Sequence, residues 1–367
     1  MAKFLIAGAG IAGLSAAIAL SRSGHEATVL EQTPELSEVG AGIQLGPNAM
    51  RILMDWGLGE AIRDKGYEPI DLRVLDASNN KLLTSRRLNT ASAQYAAPHV
   101  CIRRSDLQSV LLKAALHAGI ELRLGQKFEV KNANPYDAVL GCDGLHSQVR
   151  AQVLAGTKHN GKPRASGHTA YRAMLDMTLL PLELRSQSVQ VWLGAAQHVV
   201  AYPVNEWQMN IVIAQEGAPS LATPMSAEVH ALIAAVQANG GFTTWELFHR
   251  LPMFSPKFYA KGNVALLGDA AHPMLPYLAQ GAAMAIEDAQ ALGQAVAREV
   301  NIDKALQAYA KARWKRNARV QIQSQMQGYA FHARGLVRMA RDAVLKVAGE
   351  RLTAMPWLYS YQNIQRI

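Results

Sequence analysis

The chain has 367 residues, half of them hydrophobic, and its 37 Lys and Arg against 28 Asp and Glu give a formal charge of +9. This length exceeds the size at which one core usually divides, so we expect two domains. The two cysteines, Cys101 and Cys142, argue against a disulfide framework or a thiolate metal site, and we expect a cytoplasmic protein without a metal centre.

The first predicted strand, KFLIA, leads into a G-x-G-x-x-G motif formed by Gly8, Gly10 and Gly13. The first glycine permits a tight turn, the second lets the backbone approach a pyrophosphate, and the third lets helix and strand pack closely. The helix N-terminus that follows attracts phosphate groups. Such spacing argues against a signal peptide, although a lysine before small apolar residues is also typical of one.

Glu31 ends the next predicted strand, TVLE, and an acid at this point can accept hydrogen bonds from a ribose diol. Because NAD and FAD share the adenosine diphosphate moiety, this first unit leaves the choice between them open.

Two later strands also end in turns that combine glycine with an acid, in VLGCDGLHSQVR at 139–150 and in GDAAHPMLPYLAQG at 268–281. They resemble the DG and GD fingerprints of the class A flavoprotein monooxygenases, the para-hydroxybenzoate hydroxylase-like family. AGIQLGPNAMRIL and the Arg-x-x-Leu at Arg104 also match, so the resemblance covers nearly the whole chain in the right order. The matching positions in the two fingerprints are Asp143, Gly144, Ser147, Arg150, Gly268, Asp269, His272 and Pro273.

The resemblance implies that these turns bind FAD. Asp269 would bind the ribityl chain, and Gly281 would let a helix bring its N-terminus to the flavin edge that becomes anionic on reduction. Arg104 would lie near the flavin phosphates or ring, with Asp143 and Gly144 completing the cofactor site. For His272 a structural role is the more common one.

Within the family, the chain is most similar to the salicylate hydroxylase and 6-hydroxynicotinate monooxygenase branch. A histidine on the corresponding strand of the 6-hydroxynicotinate enzymes makes His198 the preferred acid-base candidate, with Tyr202 on the same strand face. Gln44 and Tyr277 stand where that branch has histidines beside the substrate, so the substrate can differ. The ordinary pKa of a phenol lies roughly 3.5 units above that of histidine, so proton transfer from a phenol to His198 would be about 5 kcal/mol uphill. This difference favours an orienting role for His198.

Three more residues complete the predicted substrate pocket. Tyr171 and Arg172 match a Tyr-Arg pair common in the family, for which a structural role is equally open, and Pro273 would stiffen the wall beside the flavin. The segment before the DG turn, 126–141, is shorter than the family usually has.

The predicted fold is mixed α/β: a Rossmann-like FAD-binding domain with an inserted antiparallel sheet and C-terminal helices. The FAD-binding domain would comprise 1–70, 99–170 and 255–300, the substrate sheet 71–98 and 171–254, and the helical segment 301–367. That last segment has twelve Lys and Arg against three Asp and Glu, which accounts for the whole net charge. A solvated helical face explains this excess of basic residues. The alternative is that the basic residues steer anionic substrates or bind an anionic surface.

The resemblance implies hydroxylation of a small aromatic compound, a phenolic acid or N-heterocycle. NADH or NADPH would reduce FAD, and O2 would form a C4a-hydroperoxyflavin that transfers the oxygen atom. Alternatives are another FAD oxidoreductase such as an epoxidase or reductase, a flavin-binding sensor, and an NAD-dependent dehydrogenase that uses the first motif alone. No nucleic-acid motif or transmembrane run is visible, and a homodimer is an open possibility.

Overall fold

The computed structural model describes residues 1–36, 41–217 and 225–361. Helices and strands are mixed along the chain, and the predicted mixed α/β class is confirmed. The strands are β1 (Lys3–Ala7), β2 (Glu26–Leu30), β3 (Gly42–Leu45), β4 (Asp71–Asp76), β5 (Leu82–Arg87), β6 (Val100–Arg103), β7 (Glu121–Arg123), β8 (Ala138–Gly141), β9 (Arg164–Asp176), β10 (Val189–Leu193), β11 (Gln197–Pro203), β12 (Gln208–Glu216), β13 (Thr243–His249), β14 (Ala260–Lys261) and β15 (Val264–Leu266). The helices are α1 (Ile11–Arg22), α2 (Pro47–Asp55), α3 (Gly59–Lys65), α4 (Ala91–Tyr95), α5 (Arg104–His117), α6 (Gln148–Val153), α7 (Ala227–Ala238), α8 (Gly281–Arg298), α9 (Ile302–Phe331), α10 (Gly335–Ala354) and α11 (Pro356–Tyr359).

The first sheet has the order β14-β15-β8-β1-β2-β7 and is parallel except for the short pair β14 and β15. Its central strands are apolar on both faces, as expected for a parallel sheet covered by helices. The three glycine-acid turns follow β1, β8 and β15, which are neighbours in this sheet. Because carboxyl ends of parallel strands share one edge, the fold brings all three turns together.

The second sheet has the order β13-β9-β12-β11-β10-β4-β5 and is antiparallel except for the pair β4 and β10. The hairpin predicted around Asn79 and Asn80 joins β4 to β5, with Asn80 in the left-handed region at φ 57°. One face of this sheet packs against α7 in a separate apolar cluster. The predicted domain boundary at 170 and 171 falls inside β9, and the whole strand belongs to this second sheet.

Helices form most of the described C-terminal segment, and α9 packs along α8. In α10 Gly349 is the one buried residue. It packs so closely on β5 that a Cβ there would stand 2.5 Å from Thr84. Residues 362–367 of the predicted helical segment lie outside the described residues. Among the helices of the described chain, none combines the length and apolar character needed to cross a membrane.

Candidate active site

A cavity of about 1000 Å³ lies between the turns of the first sheet and one face of the second sheet. Gly10, Asp269 and Gly281 line one side, and β4, β10, β11 and β12 contribute the opposite wall. Residues of α9 and α10, among them Gln327 and Leu345, close a third side.

The first glycine turn is shaped by close backbone contacts. Gly8 has φ +99°, which favours glycine, and a Cβ at Gly13 would stand 1.8 Å from the carbonyl oxygen of Gly8. Gly10 precedes α1 and has open space where its Cβ would be, because it faces the cavity. The turn therefore leaves room for a phosphate group at the N-terminus of a helix that has no acid in its first turn.

Glu31 and Asp143 lie beside these turns but are not among the residues that line the cavity. One carboxylate oxygen of Glu31 accepts a hydrogen bond from the backbone N–H of Ala9 at 2.9 Å. Asp143 accepts from the backbone N–H of Gln148 at 2.6 Å, at the start of α6, and its other oxygen is buried without a partner. Gly144, directly after it, does line the cavity.

Asp269 and Arg104 both face the cavity. Asp269 is exposed toward the cavity, and desolvation by the nearby protein raises the pKa of its carboxyl, while His272 and Arg104 act to lower it. Gly281 begins α8 with open space at its missing Cβ, and no acid follows in the first turn. The cavity thus holds a carboxyl, a guanidinium and two helix N-termini, a donor set that fits an extended dinucleotide such as FAD.

His272 belongs to the wall behind the GD turn and not to the cavity. Its Nε2 lies 2.5 Å from Oδ2 of Asp288, which also accepts the backbone N–H of Gly268 at 3.0 Å. Arg150 of the DG motif donates to the carbonyls of Ala270 and Ala271 at 2.7 and 2.8 Å. These buried contacts join the two later turns to each other and to α8.

One face of the second sheet forms the cavity wall, and its period-two pattern follows the prediction for β11. His198, Val200 and Tyr202 all line the cavity, together with Arg172 of β9. The register aligns Arg172 with Val212 and Val212 with Val200, so these residues form one row across three strands.

Two residues predicted for the pocket do not line it. Tyr171 precedes Arg172 on β9, and since successive strand residues point to opposite faces, its ring packs beside Phe242 in the cluster under α7. Pro273 is separated from the cavity lining, where Met274 and Pro276 take part instead. The carbonyl of Pro273 accepts a hydrogen bond from Gln321 of α9 at 3.0 Å.

Tyr277 and Gln44 line the cavity at two different places. The Tyr277 hydroxyl forms a short hydrogen bond with Nδ1 of His168, and burial raises the pKa of this phenol. Its ring packs on Gly328, where a Cβ would stand 2.4 Å away. Gln44 belongs to β3, opposite Cys101 of β6.

His198 lies in a cluster of aromatic and imidazole rings that the sequence did not reveal. Its Nδ1 is 2.9 Å from Nε2 of His332, and its ring centroid is 4.9 Å from Phe331 and 5.5 Å from Tyr277. Burial lowers the pKa of His198 well below its usual value, and His332 and His168 lower it further. His332 follows α9 directly, and no motif in QGYAFHAR indicates this contact. Across the described residues, no group of three or more His, Cys, Asp or Glu side chains has a geometry that could hold a metal ion.

Comparison with known proteins supports this reading of the cavity. A family model described as FAD binding domain matches residues 1–140 and 135–324. A 3-hydroxybenzoate 6-hydroxylase of Aquipseudomonas alcaligenes is 34% identical over 396 residues, covering 99% of both chains. The chain belongs to the class A FAD-dependent aromatic monooxygenases. The resemblance stated from its motifs is thereby confirmed.

Further comparisons find similar monooxygenases in sequence and in structure. A 3-amino-4-hydroxybenzoate 2-monooxygenase of Streptomyces platensis is 33% identical, covering 98% of this chain and 96% of the relative. Among solved structures, a salicylate hydroxylase substrate complex has a TM-score of 0.76 at 23% identity, covering 99% of this chain and 96% of the other. HpxO of Klebsiella pneumoniae, solved with FAD and uric acid, has a TM-score of 0.82 at 22% identity and covers 96% and 95%. The monooxygenase uses FAD as cofactor and NADH or NADPH as reductant.

Proposed function

We propose that this monooxygenase hydroxylates a phenolic acid, with Arg172 binding the carboxylate and His198 and Tyr277 contacting the ring hydroxyl. The observation behind this proposal is that Arg172 faces the cavity without an acidic partner in the described ranges. Its guanidinium stacks over Trp245 at 5.1 Å. A guanidinium held this way is suited to an anionic ligand.

The sheet register gives the spacing between the two proposed contacts. Arg172 is two strands from Val200, and Val200 is two residues from His198. With strands about 4.8 Å apart and about 3.4 Å of rise per residue, the two Cα atoms are roughly 12 Å apart. Both side chains project from the same face of the sheet into the cavity, and one benzene ring with a carboxylate and a hydroxyl fits across this span.

The cofactor would be held by the residues that the three turns bring together. We propose that Gly8, Gly10 and Gly13 admit the pyrophosphate and that Glu31 binds the adenosine ribose. Asp269 would bind the ribityl chain and Arg104 the phosphates or ring, with Asp143 and Gly144 supporting the DG turn. The N-terminus of α8 at Gly281 would face the flavin edge that becomes anionic. Bound FAD supplies the transfer of one oxygen atom from O2 after reduction by NADH or NADPH.

The side chains of the pocket would prepare the aromatic ring. His198 is neutral at pH 7 because burial lowers its pKa, so a ring nitrogen can accept a hydrogen bond from a phenolic hydroxyl. The lowered pKa widens the gap to a phenol, so His198 orients the hydroxyl and does not hold its proton. Tyr277 stays protonated because burial raises its pKa. Apolar residues of β10, such as Val191, exclude water from the ring.

The substrates of similar proteins support this substrate class. One relative is a 3-hydroxybenzoate 6-hydroxylase, another is a 3-amino-4-hydroxybenzoate 2-monooxygenase, and one structural neighbour is a salicylate hydroxylase. All of these substrates are aromatic acids with a ring hydroxyl. In this chain Gln44 and Tyr277 would determine which hydroxybenzoate isomer fits.

The test compares phenolic acids with neutral analogues that lack the carboxylate. NADH and NADPH consumption and product mass are measured for each, so that hydroxylation is separated from peroxide release. Arg172→Gln should raise the KM for a hydroxybenzoate about tenfold or more and leave a neutral phenol unchanged. Arg164→Gln, on an exposed position of the same strand, is the matched control. Equal losses for charged and neutral substrates would remove the carboxylate role.

A homodimer and a cytoplasmic location also belong to this proposal. The exposed side of α10 carries Leu336, Met339 and Val347, spaced along one helix face and at least 67% exposed. A second copy of the chain would cover this stripe, and sedimentation of the protein and of a Leu336→Lys variant tests it. The two cysteines are buried and unpaired, as suits a reducing compartment.

A further inference from the structure

The apolar wall of the cavity continues beyond β11, the strand that carries His198. One row of side chains crosses β9, β12, β11, β10 and β4, and its members are Arg172, Val212, Val200, Val191 and Val74. With strands about 4.8 Å apart, the first and last Cα atoms of this row are roughly 19 Å apart, and β11 lies halfway between them. The strands β10 and β4 therefore extend the wall by about 10 Å on the side of His198 that is away from Arg172.

This extension forms a lobe of the cavity, called the apolar lobe below, with aliphatic side chains on two sides. The strands β4 and β10 contribute Leu72, Val74, Val189, Val191 and Leu193 to its lining. Helix α10 contributes Val337, Val344, Leu345 and Leu352. Leu345 packs against the apolar cluster that includes the residues of β10, so the helix and the sheet meet at the base of the lobe.

Three α10 residues of the apolar lobe are exposed although they line a cavity. Val337 is 67% exposed, Leu352 53% and Val344 52%. At 3.6 residues per turn, they point roughly 120° away from the stripe of α10 that a second copy of the chain would cover. The proposed dimer contact therefore leaves them uncovered. Apolar surface that is exposed inside a cavity is suited to contact with an apolar ligand group.

Two cations at the margin of the apolar lobe contact other parts of the protein. Arg86 is on β5, the edge strand of the sheet, and its guanidinium lies over the Tyr359 ring at 5.4 Å from the centroid. Arg341 of α10 donates to the carbonyls of Ala330 and Phe331, each at 3.0 Å. These contacts hold both guanidinium groups against the protein, so the space between them favours an uncharged group.

We propose that the substrate is a phenolic acid that carries an alkyl chain, and that the apolar lobe binds this chain. This inference rests on the proposed function, because it takes Arg172 as the carboxylate site and His198 as the contact to the hydroxyl. A chain on the part of the ring farthest from the carboxylate would run along β10 and β4 and contact Val344 of α10. Each CH2 group that it buries should tighten binding by about two- to fourfold.

The experiment measures the binding of 3-hydroxybenzoate and of its ethyl, butyl and hexyl derivatives, with the chain para or meta to the carboxylate. Binding to the full-length protein loaded with FAD is measured from the change in flavin absorbance, which does not require turnover. In at least one of the two series, we expect the Kd to fall by about two- to fourfold for each added CH2 until the lobe is filled. Product mass is measured in parallel to follow hydroxylation.

Substitutions in α10 test whether the chain binds in the apolar lobe. Val344→Trp fills part of the lobe and should remove at least about tenfold of the affinity that the hexyl chain adds, while the unsubstituted acid binds within about twofold of the wild type. Ala343→Trp places the same ring on the neighbouring residue, which is exposed and outside the cavity lining, and should keep the full gain. Val344→Ser removes apolar surface without adding bulk and should weaken binding of the hexyl acid about threefold.

Two results would overturn the proposal. One is a Kd that changes by less than about twofold from the unsubstituted acid to the hexyl acid in both series. The other is a gain with chain length that persists in Val344→Trp and Val344→Ser, which places the chain elsewhere. If the alkyl acids bind with the expected gain but none is hydroxylated, the proposed function fails and the apolar lobe stands. If hydroxybenzoate is hydroxylated without any gain from a chain, the reverse holds.

Discussion

Arg313 of α9 and Asp288 of α8 form a fully buried ion pair, with Nε 2.8 Å from Oδ1. Arg313 also contacts Glu287 at 2.8 Å, and Asp288 contacts His272 of the GD turn. Burial alone would raise the pKa of Asp288, but His272 and Arg313 outweigh it and hold this pKa below its usual range. Helix α9 is thereby joined through the Asp288 carboxylate to the GD turn beside the cavity.

Replacing Arg313 with Met should strongly destabilise the fold, because Glu287 and Asp288 would keep their burial and lose a partner. A loss of about 3–5 kcal/mol in the free energy of unfolding is expected, as for other buried pairs that lose one member. Denaturant titration measures it. Lys311→Met, exposed on the same helix, is the control and should change the free energy by less than about 0.5 kcal/mol. Similar values for both variants would show that the buried pair with Asp288 does not stabilise the fold.

Two glycines of the first turn should respond differently to alanine. Gly13→Ala places a methyl group 1.8 Å from the Gly8 carbonyl oxygen, so the turn or helix must shift and stability should fall by several kcal/mol. At Gly10 the added methyl meets no protein atom and enters the cavity. Gly10→Ala should therefore keep the unfolding temperature of the FAD-free protein and lose FAD affinity about tenfold or more. Flavin absorbance after gel filtration measures bound FAD, and full flavin occupancy in both variants would argue against the phosphate site.

Asp269 provides a test of the GD turn. Asp269→Ala should purify with little FAD, since the proposed contact to the ribityl chain is removed, while Asp269→Asn keeps a polar group and should retain more. Glu216→Gln, at the far end of β12 and outside the cavity lining, is a comparison that should keep wild-type FAD content. A fully flavinated Asp269→Ala protein would refute the assigned role.

Acid should destabilise the protein partly through buried histidines. Burial lowers the pKa of His99 to about 3, and Arg86 lowers it further. Because the folded pKa lies below the unfolded value of about 6.5, the stabilisation is complete above pH 6.5 and is lost as the pH falls toward 3, at about 1.4 kcal/mol per pH unit. His99→Gln should flatten this part of the stability curve. Chemical unfolding between pH 7 and pH 4 measures the slope, with exposed His230→Gln as the control that should keep it.

The sequence predicts that the three glycine turns meet, because each turn is local. Gly8, Gly10 and Gly13 are close in the chain, and parallel strands that end at one edge bring the three turns together. Period two likewise predicts that His198 and Tyr202 share a face. The same rule places Tyr171 and Arg172 on opposite faces of the sheet. The sequence prediction that both residues belong to one pocket is therefore wrong for Tyr171.

The contacts that organise the substrate side join distant parts of the chain. His332 meets His198 across 134 positions, and His168 meets Tyr277 across 109. Neither histidine lies in a motif, and each contact joins the second sheet to a segment far away in the chain. Arg313 is similar, since its burial depends on two acids of α8 that in the sequence look like ordinary helix residues. Such pairings follow from tertiary packing and have no signature in local spacing.

Hydroxylation of a phenolic acid by the FAD-bound enzyme can be measured on the purified wild-type protein reconstituted with FAD. NADH or NADPH is supplied with a hydroxybenzoate under labelled O2, and the product is analysed by mass spectrometry. We expect stimulated nicotinamide oxidation and a product that carries one labelled oxygen atom. Failure to bind FAD, or nicotinamide oxidation that no aromatic acid stimulates and that yields only peroxide, would contradict it.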